Sequence, residues 1–204
     1  NATDALTKIQ HLSSIGEVKG EIGDLGVELK IDKKAKKLHI IDNGVGMTSD
    51  EVKKYINDVA FSGAEEFLEK YKETSKDIGI IGHFGLGFYS SFMVSDKVEI
   101  ITKSYKDEPA AHWICDGSPE YSLKKSEKKE RGTEIILHIS KDSKDYLEES
   151  KISELLNKYN KFMPHPIKFG TKEETIPGKE GEKEEKVTID NIINNPNPAW
   201  TKPP

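Results

Sequence analysis

Between residues 98 and 139 the chain carries four strand candidates, Val98–Lys103, Ala111–Asp116, Glu120–Leu123 and Glu134–Ile139, separated by short polar stretches. Parallel neighbours need a crossover of a dozen or more residues, so this run reads as an antiparallel meander. Ahead of it, Ala2, Ala5, Leu6, Ile9 and Leu12 recur at helical spacing and predict an amphipathic first helix. Val27–Asp32 and Leu38–Asp42 predict a hairpin around a lysine-rich turn. Thr48-Ser-Asp-Glu51 is a capping box that predicts a helix from about Thr48 to Val59. Glu65–Tyr71 and Gly87–Val94 predict two more helices, and Ile152–Phe162 another, followed by a short strand at Ile167–Phe169. Helix, hairpin, helices and then a meander is an α+β pattern in which helices cover one sheet face. Strict βαβ alternation is missing, which counts against a doubly wound nucleotide fold.

Residues 1–170 read as one compact domain. The stretch 171–186 alternates acids and lysines around Pro177, Gly178 and Gly181, with Ile176 as its one large apolar side chain. Such a segment cannot bury enough apolar surface to offset its ordering entropy, so it reads as a flexible charged linker. Residues 187–204 then read as a short strand and the start of a following domain.

The 36 acidic and 31 basic residues leave a formal net charge of −5, and Arg131 is the one arginine. That balance argues against a surface built mainly for nucleic acid or for anionic membrane. The single cysteine, Cys115, excludes an intrachain disulfide and fits a reducing compartment. No apolar run approaches the ~20 residues that span a bilayer, so the expected setting is the cytoplasm. The chain begins Asn-Ala-Thr-Asp without an initiator methionine, and is expected to be a fragment. The six histidines show no metal-ligand spacing.

Chemistry concentrates at three places. At about 100° per residue, Asn1, Asp4 and Lys8 fall on one band beside the apolar stripe of the first helix, where they can line a cleft. The same residues could equally be a helix cap and a solvated ion pair. In Asp42-Asn-Gly-Val-Gly-Met-Thr48 a carboxylate ends an apolar strand and two glycines follow. The glycines are either those of a tight turn or a means for a flat ring to approach the backbone, with Asp42 accepting from an exocyclic amine. A bond to such a charged acceptor contributes about 1.5–3 kcal/mol. In Gly79-Ile-Ile-Gly-His-Phe-Gly-Leu-Gly-Phe88 the glycines precede an apolar helix, which offers backbone N–H groups to a phosphate chain. It is neither a Walker A loop nor a dinucleotide fingerprint, and alone it could be a hinge.

Taken in order, Asn-Ala-x-Asp-Ala, Asp-x-Gly-x-Gly-Met and a glycine-rich run closing on Gly-x-Gly-Phe resemble the ATP-binding superfamily of gyrase, histidine kinases, MutL and the heat-shock protein 90 chaperones. Residues 1–9 (NATDALTKI), 41–48 (IDNGVGMT), 81–93 (IGHFGLGFYSSFM), 131–133 (RGT), 162–166 (FMPHP) and 197–201 (NPAWT) resemble the chaperone branch, in its bacterial form. The resemblance runs through essentially the whole chain. It implies a two-layer sandwich of Bergerat type, with a mostly antiparallel mixed sheet and the nucleotide site on the helix side.

It also implies roles. Asn1 would hold Mg²⁺ at the phosphates of ATP or ADP, and Asp4 and Lys8 would line the ribose and phosphate side. Asp42 would read the adenine amino group, Gly46 and Met47 would lie against the base, and Thr133 would complete its water network. Phe88 would pack near the sugar and phosphates, while Gly82, His83, Phe84, Gly85, Leu86 and Gly87 would wrap the phosphates. Ala5, Ile56 and Phe61 complete the expected contacts, and a lid would run from about Val59 to Gly82. Phe61 stands where the family's lid carries a phosphate-facing lysine, which puts that contact in doubt. The family's general-base glutamate lies just ahead of the helix asparagine, so this stretch is expected to bind nucleotide but turn it over poorly. The family also implies unfolded client proteins and a middle domain as partners, and dimerisation through a C-terminal domain. The alternatives are a kinase or topoisomerase ATPase of the same superfamily, or an interaction module without enzymatic activity.

Overall fold

The computed structural model describes residues 1–57, 63–71, 79–82, 87–176 and 185–198. Helix α1 (Ala2–Ser14) buries Leu6, Ile9 and Leu12 on one face, as its periodicity predicts. It ends where Gly16 adopts φ +78°, with the Gly16 and Glu17 amides folding back onto the carbonyls of Ser13 and Leu12.

One sheet of eight strands organises the chain. Its strands are β1 (Val27–Asp32), β2 (Lys37–Asp42), β3 (Ser95–Lys103), β4 (Ala110–Cys115), β5 (Tyr121–Ser126), β6 (Gly132–Ile139), β7 (Ile167–Ile176) and β8 (Glu185–Ile192). They lie in the order β5-β4-β3-β6-β2-β1-β7-β8. Only β1 and β7 pair in parallel, and the other neighbours are antiparallel. Because directly opposed residues share a face, the register builds rows across the sheet. One row runs Phe169, Leu29, Ile40, Ile135, Ile100 and Trp113. The helices cover this apolar face, and α4 (Glu149–Tyr159) adds Ile152 and Leu156 to the same core. This is the α+β two-layer architecture the sequence implied.

On the opposite face His39 pairs with Glu134, while His112 and His138 both pair with Glu99. Among the described residues no helix is long and apolar enough to cross a membrane, and no three histidine, cysteine or acidic side chains are grouped to hold a metal.

Three expectations change. The capping box at Thr48 is present: the Thr48 amide donates to the Glu51 carboxylate and the Glu51 amide to the Thr48 hydroxyl. The α-helix it starts, α2 (Ser49–Val52), nevertheless passes into a π turn at Lys53–Asn57. Tertiary bonds hold that turn: Tyr89 donates to the Ile56 carbonyl at 2.8 Å, and the Trp113 indole to Asn57 at 2.9 Å. Gly87–Met93 is a 3₁₀ rather than an α-helix, anchored by buried Phe88, which meets Trp113 and Phe92 edge to face. The residues expected at 65–71 form α3 (Gly63–Lys70).

A correction concerns the two ends of the charged stretch 171–186 read as a linker, of which residues 177–184 lie outside the described residues. Residues 171–176 continue β7, and residues 185–186 belong to β8, with Glu173 opposite Thr188 and Lys186 reaching Glu173 at 3.3 Å. Composition measures what side chains can bury. Backbone pairing with an adjacent strand needs no such burial, and β7 is already held by Ile167 and Phe169 in the core. Asn194 is also built into the fold. It accepts from the Ile167 amide and donates to the carbonyls of Met163 and His165.

Candidate nucleotide-binding site

A cavity of about 1110 Å³ lies between the inner face of the sheet, α1, the π turn and residues 81–82. It is lined by twelve of the expected contact residues: Asn1, Asp4, Ala5, Lys8, Asp42, Gly46, Met47, Ile56, Gly82, Gly87, Phe88 and Thr133. Phe61, His83, Phe84, Gly85 and Leu86 lie outside the described residues.

Asp42 ends β2 on the inner face and is 7% exposed. Its carboxylate accepts from the Gly44 amide at 2.8 Å and from the Thr133 amide. Burial outweighs both bonds and pushes its carboxyl up to about 6. A charge kept this dry, at the wall of a cavity, is suited to accept from a ligand's amine.

The loop after Asp42 is threaded between α1 and the end of β3. The Val45 amide donates to the Ala5 carbonyl and the Tyr105 amide to the Val45 carbonyl, both at 3.0 Å. A Cβ on Gly44 would come within 2.5 Å of the Ala5 backbone. Gly46 has φ +63°, and a Cβ there would lie 1.9 Å from the Lys103 carbonyl oxygen. The sequence left open whether these glycines serve a turn or a ligand. Both are required by the protein's own packing before any ligand is considered.

Asp4, which lines the cavity as expected of it, likewise has partners within the protein. Its two carboxylate oxygens accept from the amides of Ile81 and Gly82, at 2.9 and 2.8 Å. It thus pins the start of the glycine-rich segment to α1, and does so as a buried residue. Asp4→Ala is expected to free both amides. Loss of two bonds to a charged acceptor, together about 3 kcal/mol, should speed hydrogen exchange at Ile81 and Gly82 by roughly a hundredfold. Unchanged protection at these amides would refute the pinning.

Asn1 caps α1 through its carbonyl, which accepts from the Ala5 amide at 2.9 Å, while its side chain makes no capping bond. The side-chain amide is therefore left at the mouth of the cavity, within reach of Gly82 and Gly87. Lys8 points its ammonium to within 5.4 Å of the Phe67 ring centre, and burial lowers its pKa against the pull of Asp4, Glu51 and Glu66. Phe67 and Tyr71 also pack on His11, so α3 is seated against α1.

Several lining residues had no motif to reveal them. Tyr55 and Glu66 meet through a 2.9 Å hydrogen bond, and Lys106 meets Glu51 at 2.7 Å. Behind the wall, Thr102 accepts from the Met47 amide at 2.9 Å and lies 3.0 Å from the Thr133 hydroxyl. A polar residue at the inward parity of β3, after Val98 and Ile100, was the one signal available for it.

A buried carboxylate on the sheet, a helix asparagine at the mouth and the Ile81 and Gly82 amides held on that helix match the arrangement expected of a nucleotide-binding ATPase domain. The chain belongs to the family of histidine kinase-, DNA gyrase B- and HSP90-like ATPases, whose family model matches residues 1–146. Within that family it is similar to the chaperone protein HtpG of Bacteroides thetaiotaomicron, 54% identical over 205 residues, covering 100% of this chain and 29% of the relative. It is 52% identical to HtpG of Porphyromonas gingivalis over the same extent. It is 40% identical to an endoplasmin homolog of Dictyostelium discoideum, covering 93% of this chain and 26% of that protein. The resemblance to the chaperone branch is thus shown across the whole chain, which spans about 29% of the length of its HtpG relatives.

Proposed function

We propose that the cavity binds ATP and ADP, with Asp42 accepting from the exocyclic amine of adenine, Met47 and Gly46 beside the base, and the phosphates toward Asn1, Gly82 and Gly87. What carries the reading is the Asp42 carboxylate, buried at the wall of the cavity, where its two backbone bonds do not offset the cost of burying its charge and a ligand's amine would add a third donor. The residues at the mouth suit a Mg²⁺–nucleotide complex. Mg²⁺ takes few protein oxygens and shares the rest of its shell with phosphates and water, and the Asn1 side-chain oxygen is not engaged in capping. Asn1 would hold the ion there, and the ion would neutralise phosphate charge. Lys8 would add a cation on the same side.

In the whole protein this domain would drive an ATP-dependent chaperone of the cytoplasm. Binding and hydrolysis would close a lid over the nucleotide and cycle the dimer's conformation on unfolded or partly folded clients. The similarity to HtpG and endoplasmin proteins supports this reading. Turnover by this chain is expected to be poor, because the acids that line the cavity among the described residues all have partners. Asp4 and Asp42 are engaged with backbone amides, Glu51 with Thr48 and Lys106, and Glu66 with Lys54 and Tyr55, so none of them is poised to activate water.

Calorimetric titration of Mg²⁺-ADP into the chain tests the binding claim, with a Kd on the order of 1 μM–1 mM expected, the range over which enzymes ordinarily meet their substrates. Absence of binding heat and of any nucleotide-dependent rise in melting temperature would overturn it. Hydrolysis by this chain at a rate that Asp42→Asn abolishes would overturn the claim of poor turnover.

A further inference from the structure

The register places Asp42, Thr133 and Thr102 in one row, directly opposed across β2, β6 and β3. All three face inward. Asp42 and Thr133 line the cavity, and Thr102 sits one strand further on with 0% exposure. We propose that Thr102 is a positioning residue that fixes which way the Thr133 hydroxyl points, and through it the preference of this site for adenine over guanine. The proposal rests on reading the cavity as an adenine-nucleotide site.

The direction follows from counting protons. The Thr102 hydroxyl has one proton to give and two lone pairs. One lone pair is taken by the Met47 amide, which donates to it at 2.9 Å. Two acceptors lie near the proton: Thr133 Oγ1 at 3.0 Å and the Gly132 carbonyl at 3.4 Å. Hydroxyl bonds to oxygen fall between about 2.5 and 3.0 Å, so only the first is a sound bond. Were Thr133 the donor of the pair, the Thr102 proton would be left to the long contact in a fully buried place, an expensive arrangement. Thr102 therefore donates to Thr133, and the Thr133 proton is turned away from Thr102 and toward the cavity.

The site then presents an acceptor, the Asp42 carboxylate, beside a donor, the Thr133 hydroxyl. Adenine carries the complementary pair on one edge: the N6 amine donates and N1 accepts, directly or through a water. Guanine in the same ring pose carries the reverse, an O6 acceptor and an N1–H donor. Sites that hold a polar pair in fixed orientation reject the mismatched pattern more strongly than apolar pockets reject a difference in size. Without Thr102 the Thr133 hydroxyl could rotate and offer a lone pair or a proton with equal ease.

The test is displacement titration of Mg²⁺-ADP and Mg²⁺-GDP on the unaltered chain and on Thr102→Val, Thr102→Ser, Thr133→Val and the double variant Thr102→Val/Thr133→Val. Thr102→Val is expected to weaken ADP by roughly tenfold, about the worth of one buried neutral hydrogen bond, and to leave GDP within about twofold. The ADP preference should fall by the same factor. Thr102→Ser should restore it, and the double variant should bind ADP no worse than Thr133→Val alone. Should Thr102→Val not fold, Thr102→Ala is read the same way. Equal losses for ADP and GDP, additive losses in the double variant, or no rescue by serine would each overturn the role of Thr102 while leaving the adenine site standing. Failure of the unaltered chain to bind ADP would overturn the site and this role together.

Discussion

Asp42→Asn is expected to lower affinity for ADP by at least about a hundredfold, by removing a charge-assisted acceptor and turning an amide N–H₂ toward the adenine amine. It is also expected to make the nucleotide-free chain more stable. The Asp42 carboxyl is raised from 3.8 to about 6, so the native state disfavours the charged form. At about 1.4 kcal/mol per unit, burying this charge costs roughly 3 kcal/mol at neutral pH. Because the folded value lies above the unfolded one, the cost is absent below 3.8 and fully present above about 6. The unaltered chain should therefore lose this increment of stability as pH rises from 4 to 6, while the asparagine variant should not. Thermal melting of both proteins across that range, without nucleotide, checks the claim. A variant no more stable than its parent at pH 7.5 would show that Asp42 is not held at such a cost.

Nucleotide binding should have the opposite pH dependence. An amine donor needs the ionised carboxylate, so ADP affinity should fall as pH drops below about 6, approaching tenfold per unit. A group whose charged form destabilises the free protein and is required by the ligand couples folding to binding. Nucleotide should accordingly protect the chain from heat more at pH 7.5 than at pH 5.

Gly46→Ala is expected to be among the most damaging single changes, whether or not nucleotide is present. The new methyl would lie 1.9 Å from the Lys103 carbonyl, and φ +63° is unfavourable for any L side chain. The obstructing atom is backbone, in a strand held on both sides by β4 and β6. The loop must therefore move, carrying Met47 away from Thr102. A loss above about 4 kcal/mol is expected, which would leave little native protein at physiological temperature. Gly79→Ala is the control. Gly79 also has positive φ, +64°, but among the described residues nothing lies within 4 Å of its added Cβ. It should cost only about 1 kcal/mol, the conformational term alone. Circular-dichroism melts of the two variants decide the matter. Equal and small shifts would mean that the glycine serves the ligand rather than the packing of the chain.

These expectations separate two kinds of information in the chain. Secondary structure with strong local causes was readable: the period of α1, the alternation in β1 and β2, and the reciprocal capping at Thr48. Family motifs also located the chemistry, because Asn1, Asp42 and Gly82 are separated by many residues in sequence yet appear in a recognisable order. What local reading could not supply was the identity of each residue's partner. It leaves Gly44 and Gly46 open between turn and ligand, and could not show that the Ala5 and Lys103 backbones require glycine there in either case. It could not show that Asp4, which lines the cavity, also accepts from the Ile81 and Gly82 amides.

By itself, then, the sequence determined the α+β class, the positions of most strands and helices, the family and a set of candidate residues of which twelve line one cavity. Each of these is written in spacing, capping or motif, signals that act over a few residues. The tertiary structure alone decided the π turn at Lys53–Asn57, the extension of β7 through a charged stretch, and the row joining Asp42, Thr133 and Thr102. Those features depend on hydrogen bonds and contacts between residues far apart in the chain. Their geometry exists only once the sheet has brought the partners together.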